Sequence, residues 1–294
     1  MKIGIAGTGR MGAAIGEHLL SLGHQLVVWN RDPGKTQPVV EKGATLAASP
    51  AALARESEVI VTILSDASAI DGVYRGPQGL LAGASAGKLF IEMSTVRPEV
   101  ERALAADVAA KGARMIDCPV GGTIGPAREG RLLGFVGGEA EDVARAKPLL
   151  EQMCRRHEHM GRVGAGAAMK LAINLPLLVW YQALGEALTL CLQTGVEPAR
   201  LMDIFADTSG GPNVLKARGP AIAKAMEGGE PPLQFGVDMI RKDLRTMLEE
   251  ARGLGTDLPL VAKTLEIYDR ASKEGWGARD ASVLPGYWPK HGKG

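Results

Sequence analysis

Three glycines with a fixed spacing lie near the start of the chain, in the stretch KIGIAGTGRMGAAIGEHLL. Between an apolar strand and an amphipathic helix, such glycines permit a tight turn, let a pyrophosphate approach the backbone, and let the helix pack closely on the strand. The amide groups and the positive dipole at the start of the helix then attract phosphate. The spacing therefore predicts a dinucleotide-binding turn, with an ordinary glycine-rich loop as the alternative. The residues expected to contact the dinucleotide are Gly7, Thr8, Gly9, Arg10, Met11 and Gly12.

The end of the second apolar run, VVWNRDPGK, indicates which dinucleotide binds. An NAD enzyme places an acidic residue here to bind the ribose hydroxyls, whereas NADP requires a cation. Arg31 can stack on adenine and pair with the 2′-phosphate, and Lys35 adds charge nearby. Asp32 is the alternative ribose ligand, but Pro33 after it indicates a helix N-cap with proline at the first helical position. We therefore expect NADP(H), bound by Asn30, Arg31 and Lys35.

A lysine and an asparagine lie four residues apart in GRVGAGAAMKLAIN. In a helix, Lys170 and Asn174 share one face. Because the neighbours of Lys170 are small and apolar, its isolated charge indicates a purpose, although a solvent-facing lysine is the alternative. A further lysine, Lys242, lies in the helical pattern of IRKDL beside Arg241 and Asp243, where an ordinary solvated face is the alternative.

A glycine-containing stretch, DCPVGGTIGPAREGRL, covers residues 117–132. It lies between two strand-like runs, and its glycines can offer backbone N–H groups to an anionic substrate.

The elements that must position these residues alternate up to about residue 161. The runs KIGIAG, LVVWN, EVIVTIL, LFIEMS and RMIDCPV predict buried strands, and helical patterns at 11–22 and 99–111 lie between them. Gly23 is expected at the C′ position that ends the first helix. This alternation predicts an α/β N-terminal Rossmann domain with a doubly wound parallel sheet.

The second half of the chain has almost no strand pattern. One long helix is expected after Gly161, with Pro176 causing a kink or a local break. Further helices are predicted over residues 198–207, 236–253 and 258–271, and the tail from Pro289 is expected to be loose. We therefore predict an NADP-binding domain over residues 1–162 and an all-α C-terminal domain for substrate binding and dimerisation over residues 163–294.

Composition excludes several classes of protein. The net charge of +1 gives no general attraction to nucleic acid or to an anionic membrane. No apolar run is expected to approach transmembrane length, the best candidate being residues 175–180. Three dispersed cysteines favour a reducing, cytoplasmic location over a disulfide framework. We expect the HEH sequence at 157–159 to lie in a solvated loop and to form no metal site.

Taken together, these motifs resemble the β-hydroxyacid dehydrogenase family, which is related to 3-hydroxyisobutyrate and 6-phosphogluconate dehydrogenases. The segments GTGRMG, EMSTV, DCPVGG, GAGAAMKLAIN, IRKDL and ARDASVL occur in the family's order. NRDPGK and the short chain are most similar to its glyoxylate and succinic semialdehyde reductase branch.

The resemblance implies a role for each matching residue. Lys170 matches the essential acid/base lysine of the long helix, and Asn174 matches the asparagine that orients substrate. The substrate-binding positions implied are Ser94, Gly121, Gly122, Thr123 and Asn174. The further cofactor-binding positions implied are Leu64, Ser65, Thr95, which lies near the nicotinamide, and Lys242.

The chain departs from the family's usual pattern close to the substrate. Gly121 replaces a serine that helps to bind the substrate carboxylate, and Thr123 replaces a glycine. Ile173 replaces the first of two asparagines, Arg131 stands where a threonine is usual, and Pro176 interrupts the long helix. Thr123, Arg128 and Arg131 are candidates to replace the lost contacts.

These observations predict an NADP(H)-dependent oxidoreductase that interconverts a small aldehyde or oxo acid and its hydroxyacid. During reduction, Lys170 would protonate the carbonyl oxygen. One alternative is an imine reductase of the same architecture, which typically lacks the catalytic lysine. Another is a non-catalytic NADP-binding module. The apolar helices of the second half, and the family, imply a homodimer or homotetramer.

Overall fold

The computed structural model describes residues 1–84 and 86–292, which form two compact units that divide after Ala172. The first unit contains a sheet whose first six strands are short. Five of these strands are buried, and the remaining one lies at the edge of the sheet. These strands are β1 (Lys2–Ala6), β2 (Gln25–Trp29), β3 (Thr45–Leu46), β4 (Val59–Thr62), β5 (Leu89–Glu92) and β6 (Arg114–Asp117). They are parallel and have the spatial order β3-β2-β1-β4-β5-β6. This is the order of a doubly wound Rossmann sheet, so the predicted fold class is confirmed.

Apolar side chains cover both faces of this sheet, which explains why its strands are continuously hydrophobic. Successive residues of a strand point to opposite faces. Accordingly, Ile60 lies in one buried cluster and Val61 in the other. The five strands predicted from apolar runs are all present.

Helices connect the strands of the first unit. The helices are α1 (Arg10–Ser21), α2 (Gln37–Val40), α3 (Pro50–Glu56), α4 (Ala67–Arg75), α5 (Leu80–Gly83), α6 (Pro98–Ala110), α7 (Ile124–Arg128) and α8 (Ala140–Met153). Helices α1 and α6 each begin and end one residue earlier than predicted. Gly23 follows α1 with a φ of 83°, the left-handed conformation expected of a C′ glycine.

Three further strands extend the sheet beyond β6. They are β7 (Val120–Gly121), β8 (Leu132–Gly137) and β9 (Cys154–Gly161). β8 is antiparallel to β6 and β7 and parallel to β9. The HEH sequence therefore lies in β9, not in a solvated loop, because the backbone of this polar segment pairs with β8. Among the described residues, no group of three or more potential ligands could hold a metal ion.

The long helix α9 (Ala165–Cys191) begins in the first unit and continues into the second. It passes through Pro176 without a break. The other helices of the second unit are α10 (Pro198–Ala206), α11 (Asn213–Met226), α12 (Val237–Gly253), α13 (Pro259–Ala271) and α14 (Leu284–His291). α11 was not predicted. α14 includes the start of the tail that was expected to be loose, and residues 293–294 of that tail lie outside the described residues.

The change from strands to helices occurs where the sequence predicts it, but the compact units divide ten residues beyond residue 162. The first turns of α9 belong to the first unit because they are hydrogen-bonded to the end of β6, as described below.

The expectation that no segment approaches transmembrane length is wrong when helices are judged by length and composition alone. Within the described part of the chain, the helical segment Ala165–Thr194 is both long and apolar enough to cross a membrane. This is weak evidence, since a core helix of a soluble protein passes the same test.

Candidate active site

The glycine turn between β1 and α1 has the geometry of a phosphate cradle. Gly7 has a φ of 101°, and a Cβ there would lie 2.3 Å from the carbonyl oxygen of Ile63. A Cβ at Gly12 would lie 1.9 Å from the carbonyl oxygen of Gly7, so neither position accepts a side chain. At Gly9, in contrast, a Cβ would meet nothing within 4 Å. The backbone is therefore open at Gly9, on the side where a pyrophosphate would approach.

One buried polar atom in this turn lacks a partner. The Thr8 side chain is 2% exposed, and no hydrogen-bond partner for its hydroxyl is found among the described residues. No side chain caps the start of α1, whose N-cap residue is Gly9. An unpaired hydroxyl and an uncapped helix start both fit a bound phosphate group, which can accept hydrogen bonds from each.

Asn30 holds the glycine turn from the end of β2. Its Oδ1 accepts a hydrogen bond of 3.1 Å from the Thr8 N–H, and its Nδ2 donates to the carbonyl oxygen of Asp32 at 2.9 Å. The amide thus positions the turn. Contact between Asn30 and the cofactor stays a prediction.

The two cations predicted to select the cofactor lie on an exposed turn after β2. The carboxylate of Asp32 accepts a hydrogen bond of 3.0 Å from the Gly34 N–H and caps a 3₁₀ turn over Pro33–Thr36, with proline at its first position. The predicted capping role of Asp32 is therefore confirmed. Arg31 and Lys35 are both exposed.

The loops after β4 and β5 are joined by one hydroxyl. Ser94 Oγ accepts a hydrogen bond of 2.8 Å from the Leu64 N–H and donates to the Glu92 carboxylate. Because Ser94 is 1% exposed and its hydroxyl is engaged twice, its contacts favour a positioning role over the predicted substrate contact. Thr95 is half-buried beside it, and Ser65 is exposed, with its hydroxyl donating to Asp66 at 2.9 Å.

Glu92 lies beneath these loops, at the end of β5. Its carboxylate also accepts hydrogen bonds from the Ser94 N–H, at 2.9 Å, and from the Thr62 hydroxyl, at 3.3 Å. The side chain is fully buried, and burial raises its pKa. Glu92 therefore connects the ends of two neighbouring strands through Thr62 and Ser94.

The glycine-containing loop after β6 leaves room where the family usually has a serine. Gly121 is half-buried, and a Cβ there would be 3.7 Å from its nearest neighbour, which is ordinary van der Waals contact. Gly122 has a φ of 125°, and a Cβ would lie 2.9 Å from Leu132 Cδ2. Half-buried Thr123 is the N-cap residue of α7 but makes no side-chain capping bond.

Two arginines proposed to replace the lost substrate contacts are paired on the surface instead. Arg128 Nε lies 3.2 Å from Glu17 Oε2, and Arg131 Nη1 lies 3.3 Å from Glu129 Oε2. Both arginine side chains are more than half exposed. These pairs give no support to a substrate-binding role for either residue.

Lys170 and Asn174 lie one turn apart on α9, as predicted. Lys170 is half-buried, whereas Asn174 is buried and donates from Nδ2 to Asp243 Oδ2 at 3.1 Å. Lys242 Nζ pairs with Asp243 Oδ1 at 2.6 Å. Buried Asp243 therefore joins Asn174 and Lys242 within the second unit, and contact between Lys242 and cofactor stays a prediction.

Three acidic residues important to this arrangement were missed as site residues. Glu92 and Asp117 each end an apolar strand, in LFIE and RMID, and Asp243 follows Lys242 on α12. The signal for the first two was an acidic side chain at the carboxyl end of an otherwise apolar strand. Asp243 gave no such signal, because its neighbours on the helix are charged.

Comparisons with known protein families cover almost the whole chain. The family model for the NAD binding domain of 6-phosphogluconate dehydrogenase matches residues 2–161. The family model described as NAD-binding of NADP-dependent 3-hydroxyisobutyrate dehydrogenase matches residues 164–287.

Curated relatives have names within the same range of activities. 3-Hydroxyisobutyrate dehydrogenase of Pseudomonas aeruginosa is 34% identical over 90% of this chain and 90% of its own length. 3-Sulfolactaldehyde reductase of Escherichia coli is 34% identical over 96% of this chain and 94% of its own. Glyoxylate/succinic semialdehyde reductase 1 of Arabidopsis thaliana is 30% identical over 97% of each.

Solved structures agree with these matches. Psf3, in complex with NADP+ and 2-OPP, has a TM-score of 0.86 and 26% identity, and the match covers 97% of this chain and 99% of that chain. A reductive aminase from Aspergillus terreus, in complex with NADPH and ethyl levulinate, has a TM-score of 0.64 and 25% identity, over 98% of this chain and 99% of that chain. The imine-reducing architecture is therefore related but superposes less well.

Proposed function

The chain belongs to the β-hydroxyacid dehydrogenase family, and we propose that it uses NADP(H) to interconvert a small aldehyde or oxo acid and the corresponding hydroxyacid. One observation carries the proposal: the open glycine turn and Lys170 belong to the same compact unit. A non-catalytic binding module would need the turn but would have no use for the lysine.

The cofactor would be held by the glycine turn and the exposed turn after β2. The backbone at Gly9 and the start of α1 would contact the pyrophosphate, and the Thr8 hydroxyl would donate to it. When bound, NADPH supplies the hydride that reduces the carbonyl carbon.

We propose that Arg31 and Lys35 select NADP(H) over NAD(H). Both cations are exposed, where a 2′-phosphate can reach them, and the neighbouring carboxylate of Asp32 is engaged with the Gly34 N–H. Asp32 is thus held away from the ribose-binding role that an NAD enzyme gives to an acid. A guanidinium and an ammonium together provide charge-assisted bonds to phosphate.

Lys170 would provide the proton. Reduction adds a hydride to the carbonyl carbon and places negative charge on its oxygen, so a positioned ammonium can give its proton to that oxygen as the alcohol forms. In the reverse direction, the neutral amine would take the proton from the hydroxyl group. Asn174, held by Asp243, would orient the substrate.

The substrate is proposed to be a short carbonyl compound with an anionic group. Two of the three relatives are named for such compounds, 3-sulfolactaldehyde in one case and glyoxylate and succinic semialdehyde in the other. In this chain the loop Gly121–Thr123 has lost the usual serine hydroxyl, and backbone N–H groups of the loop would bind the anion instead. We also propose a cytoplasmic location, which is favoured by three free cysteines, two of them buried.

The test is NADPH oxidation against glyoxylate, succinic semialdehyde, other small aldehydes and cyclic imines, with NADH in parallel. We expect carbonyl turnover that favours NADPH. Turnover of imines alone would identify an imine reductase, and tight NADPH binding without any turnover would indicate a binding module.

Two variants separate catalysis from cofactor selection. Lys170→Ala should lower kcat by about 10²–10⁴-fold, the usual contribution of a general acid, with little change in the Kd for NADPH. The matched control, Lys147→Ala, removes an exposed helical lysine of the same unit and should be active. Arg31→Ala should weaken NADPH far more than NADH. An equal loss for both cofactors would exclude the 2′-phosphate role.

A further inference from the structure

A buried carboxylate links the end of β6 to the start of α9. Asp117 Oδ1 accepts a hydrogen bond of 2.7 Å from the Gly164 N–H, and Oδ2 accepts one of 2.8 Å from the Ala167 N–H. The first N–H groups of a helix have no partner within the helix. Asp117, 47 residues earlier in the chain than Gly164, satisfies two of them with one side chain.

Two glycines leave space for this carboxylate. A Cβ at Gly137 would lie 2.2 Å from Asp117 Oδ1, and a Cβ at Gly166 would lie 2.8 Å from Oδ2. Gly137 of β8 is paired with Asp117 of β6, and the Asp117 side chain is fully buried. Two glycines on separate elements therefore enclose the same carboxylate.

This link lies between the two parts of the proposed active site. Ala167 precedes Lys170 by three residues, which corresponds to about 4.5 Å along a helix. At the other end, Asp117 comes four residues before Gly121, at the start of the loop proposed to bind the anionic group. A change in the Asp117 hydrogen bonds would therefore move Lys170 relative to this loop.

We propose that ionised Asp117 is a positioning residue that holds Lys170 in register with the Gly121–Thr123 loop, and that protonation of Asp117 slows the reaction. This inference rests on the proposed role of Lys170. Asp117 is not assigned a contact with substrate or cofactor. Its effect is exerted through the start of α9.

The surroundings of Asp117 place its pKa in a pH range that experiments on the intact protein can cover. Burial raises the pKa of Asp117 to about 6, against the lowering effect of the bonds from Gly164 and Ala167. Glu92, its neighbour on β5, adds a further raising effect, and Glu101 on α6 is a second nearby acid.

Further titratable groups lie on the elements around Asp117. His159 Nε2 of β9 is 2.9 Å from the carbonyl oxygens of Gly138 and Gly161, and Arg162 follows β9. Arg102 of α6 lies near Gly164, Cys118 follows Asp117 on the chain, and Lys170 is the lysine of the first turns of α9. Above pH 6 the carboxylate is ionised and accepts both N–H groups. Below pH 6, the protonated carboxyl group is a weaker acceptor, so its hydrogen bonds with the start of α9 weaken as the pH falls.

The first measurement needs no substitution. Hydrogen exchange of the Gly164 and Ala167 amides, corrected for intrinsic exchange, is followed from pH 7.5 to pH 5 in the intact protein. We expect protection to fall below about pH 6. Unchanged protection over this range would overturn the proposal, whether or not a substrate has been found.

The second measurement uses Asp117→Asn, which keeps the shape but places an NH₂ group against one backbone N–H. We expect kcat on the best carbonyl substrate to fall about 10–100-fold, as for small misplacements of a catalytic group. The Kd for NADPH should be unchanged. We expect the natural chain to show an acid limb of kcat/KM near pH 6, and we expect Asp117→Asn to lack it.

Asp71→Asn is the matched control, since Asp71 is an exposed acid of the same unit. This variant should have the kcat of the natural chain and the same acid limb of kcat/KM. If Asp117→Asn also keeps them, Asp117 does not position Lys170, even though the reductase activity stands. If no carbonyl is reduced by the natural chain, the proposed function fails, and the amide exchange still decides whether Asp117 holds α9.

Discussion

At the scale of single residues, Gly121 is a departure from its family that packing does not require. The nearest atoms to a Cβ at this position are Leu133 Cβ at 3.7 Å and Phe135 Cε2 at 3.8 Å. A small side chain therefore fits without displacing its neighbours. Packing therefore does not explain the missing hydroxyl.

We expect Gly121→Ser to change the free energy of unfolding by less than about 0.5 kcal/mol, as for a tolerated substitution. It should lower the KM for glyoxylate, because a serine hydroxyl can donate to the substrate carboxylate. Thermal unfolding and steady-state kinetics measure the two effects.

Gly122→Ser is the control, because its φ of 125° strains any side chain. It should cost about 1–3 kcal/mol of stability. Equal destabilisation by both substitutions would contradict the packing argument, and an unchanged KM in Gly121→Ser would show that the anion is bound elsewhere.

At the scale of elements, α6 places a buried acid against a second acid of the sheet. Glu101 is fully buried, and its carboxyl group interacts with the carboxyl group of Glu92 at the end of β5. Burial raises its pKa well above the ordinary 4.5, and the nearby charge of Glu92 adds to this effect. The environment of Glu101 therefore favours its neutral form over its ionised form.

Linkage gives this acid a pH-dependent effect on stability. A carboxyl whose pKa is raised in the folded state contributes stability that is complete below 4.5 and is lost as the pH rises through the folded pKa. Glu101→Met removes this buried carboxyl group and its repulsion with Glu92, and should raise the free energy of unfolding at pH 8 by about 1–3 kcal/mol.

The gain from Glu101→Met should be smaller at pH 4.5, where the natural acid is protonated in the folded state and half protonated in the unfolded chain. Urea unfolding at the two pH values measures this difference. Glu99→Met, an exposed position in the same turn, should show no such dependence. A gain that is the same at both pH values would mean that Glu101 does not titrate on folding.

The elements that the sequence predicts are those whose own residues determine them. Apolar runs such as VIVT form central strands because both faces of the sheet are covered. β9, with the sequence CRRHEHMG, is polar and half-exposed, and it becomes a strand only because β8 offers its backbone. α11 contains Pro220 and α14 contains Pro289 in its interior, so packing in the second unit overrides their local preference.

The same distinction between local sequence and distant contacts applies to the candidate site. Glycine spacing and the position of Lys170 on a helix could be read from local sequence. The hydrogen bonds of Asp117, Glu92 and Asp243 could not, because each joins residues that are distant in the chain or requires the register of neighbouring strands.

At the scale of the whole molecule, the exposed apolar residues of α9 support a homo-oligomer, which we propose here. Leu190 is 86% exposed, an unusual position for leucine near the end of a long apolar helix. In light scattering, we expect the natural chain to have a mass that is a multiple of 30.9 kDa.

Leu190→Asp should shift the mass toward that of one chain, because a buried interface would then contain an unpaired charge. Leu46→Asp, at a half-exposed leucine of the first unit, should leave it unchanged. A natural chain that is monomeric, or a mass that does not respond to Leu190→Asp, would contradict an interface at this end of α9.

The capped turn after β2 bears on how such a chain could evolve or be redesigned. In the usual approach to exchanging cofactors, an engineer replaces the arginine by an acid and relies on that one side chain. Here an acid is already adjacent, but its carboxylate is engaged with the Gly34 N–H, and Lys35 lies on the same short turn. Recruiting Asp32 as a ribose ligand would therefore require its carboxylate to leave the Gly34 N–H, which would uncap the turn over Pro33–Thr36.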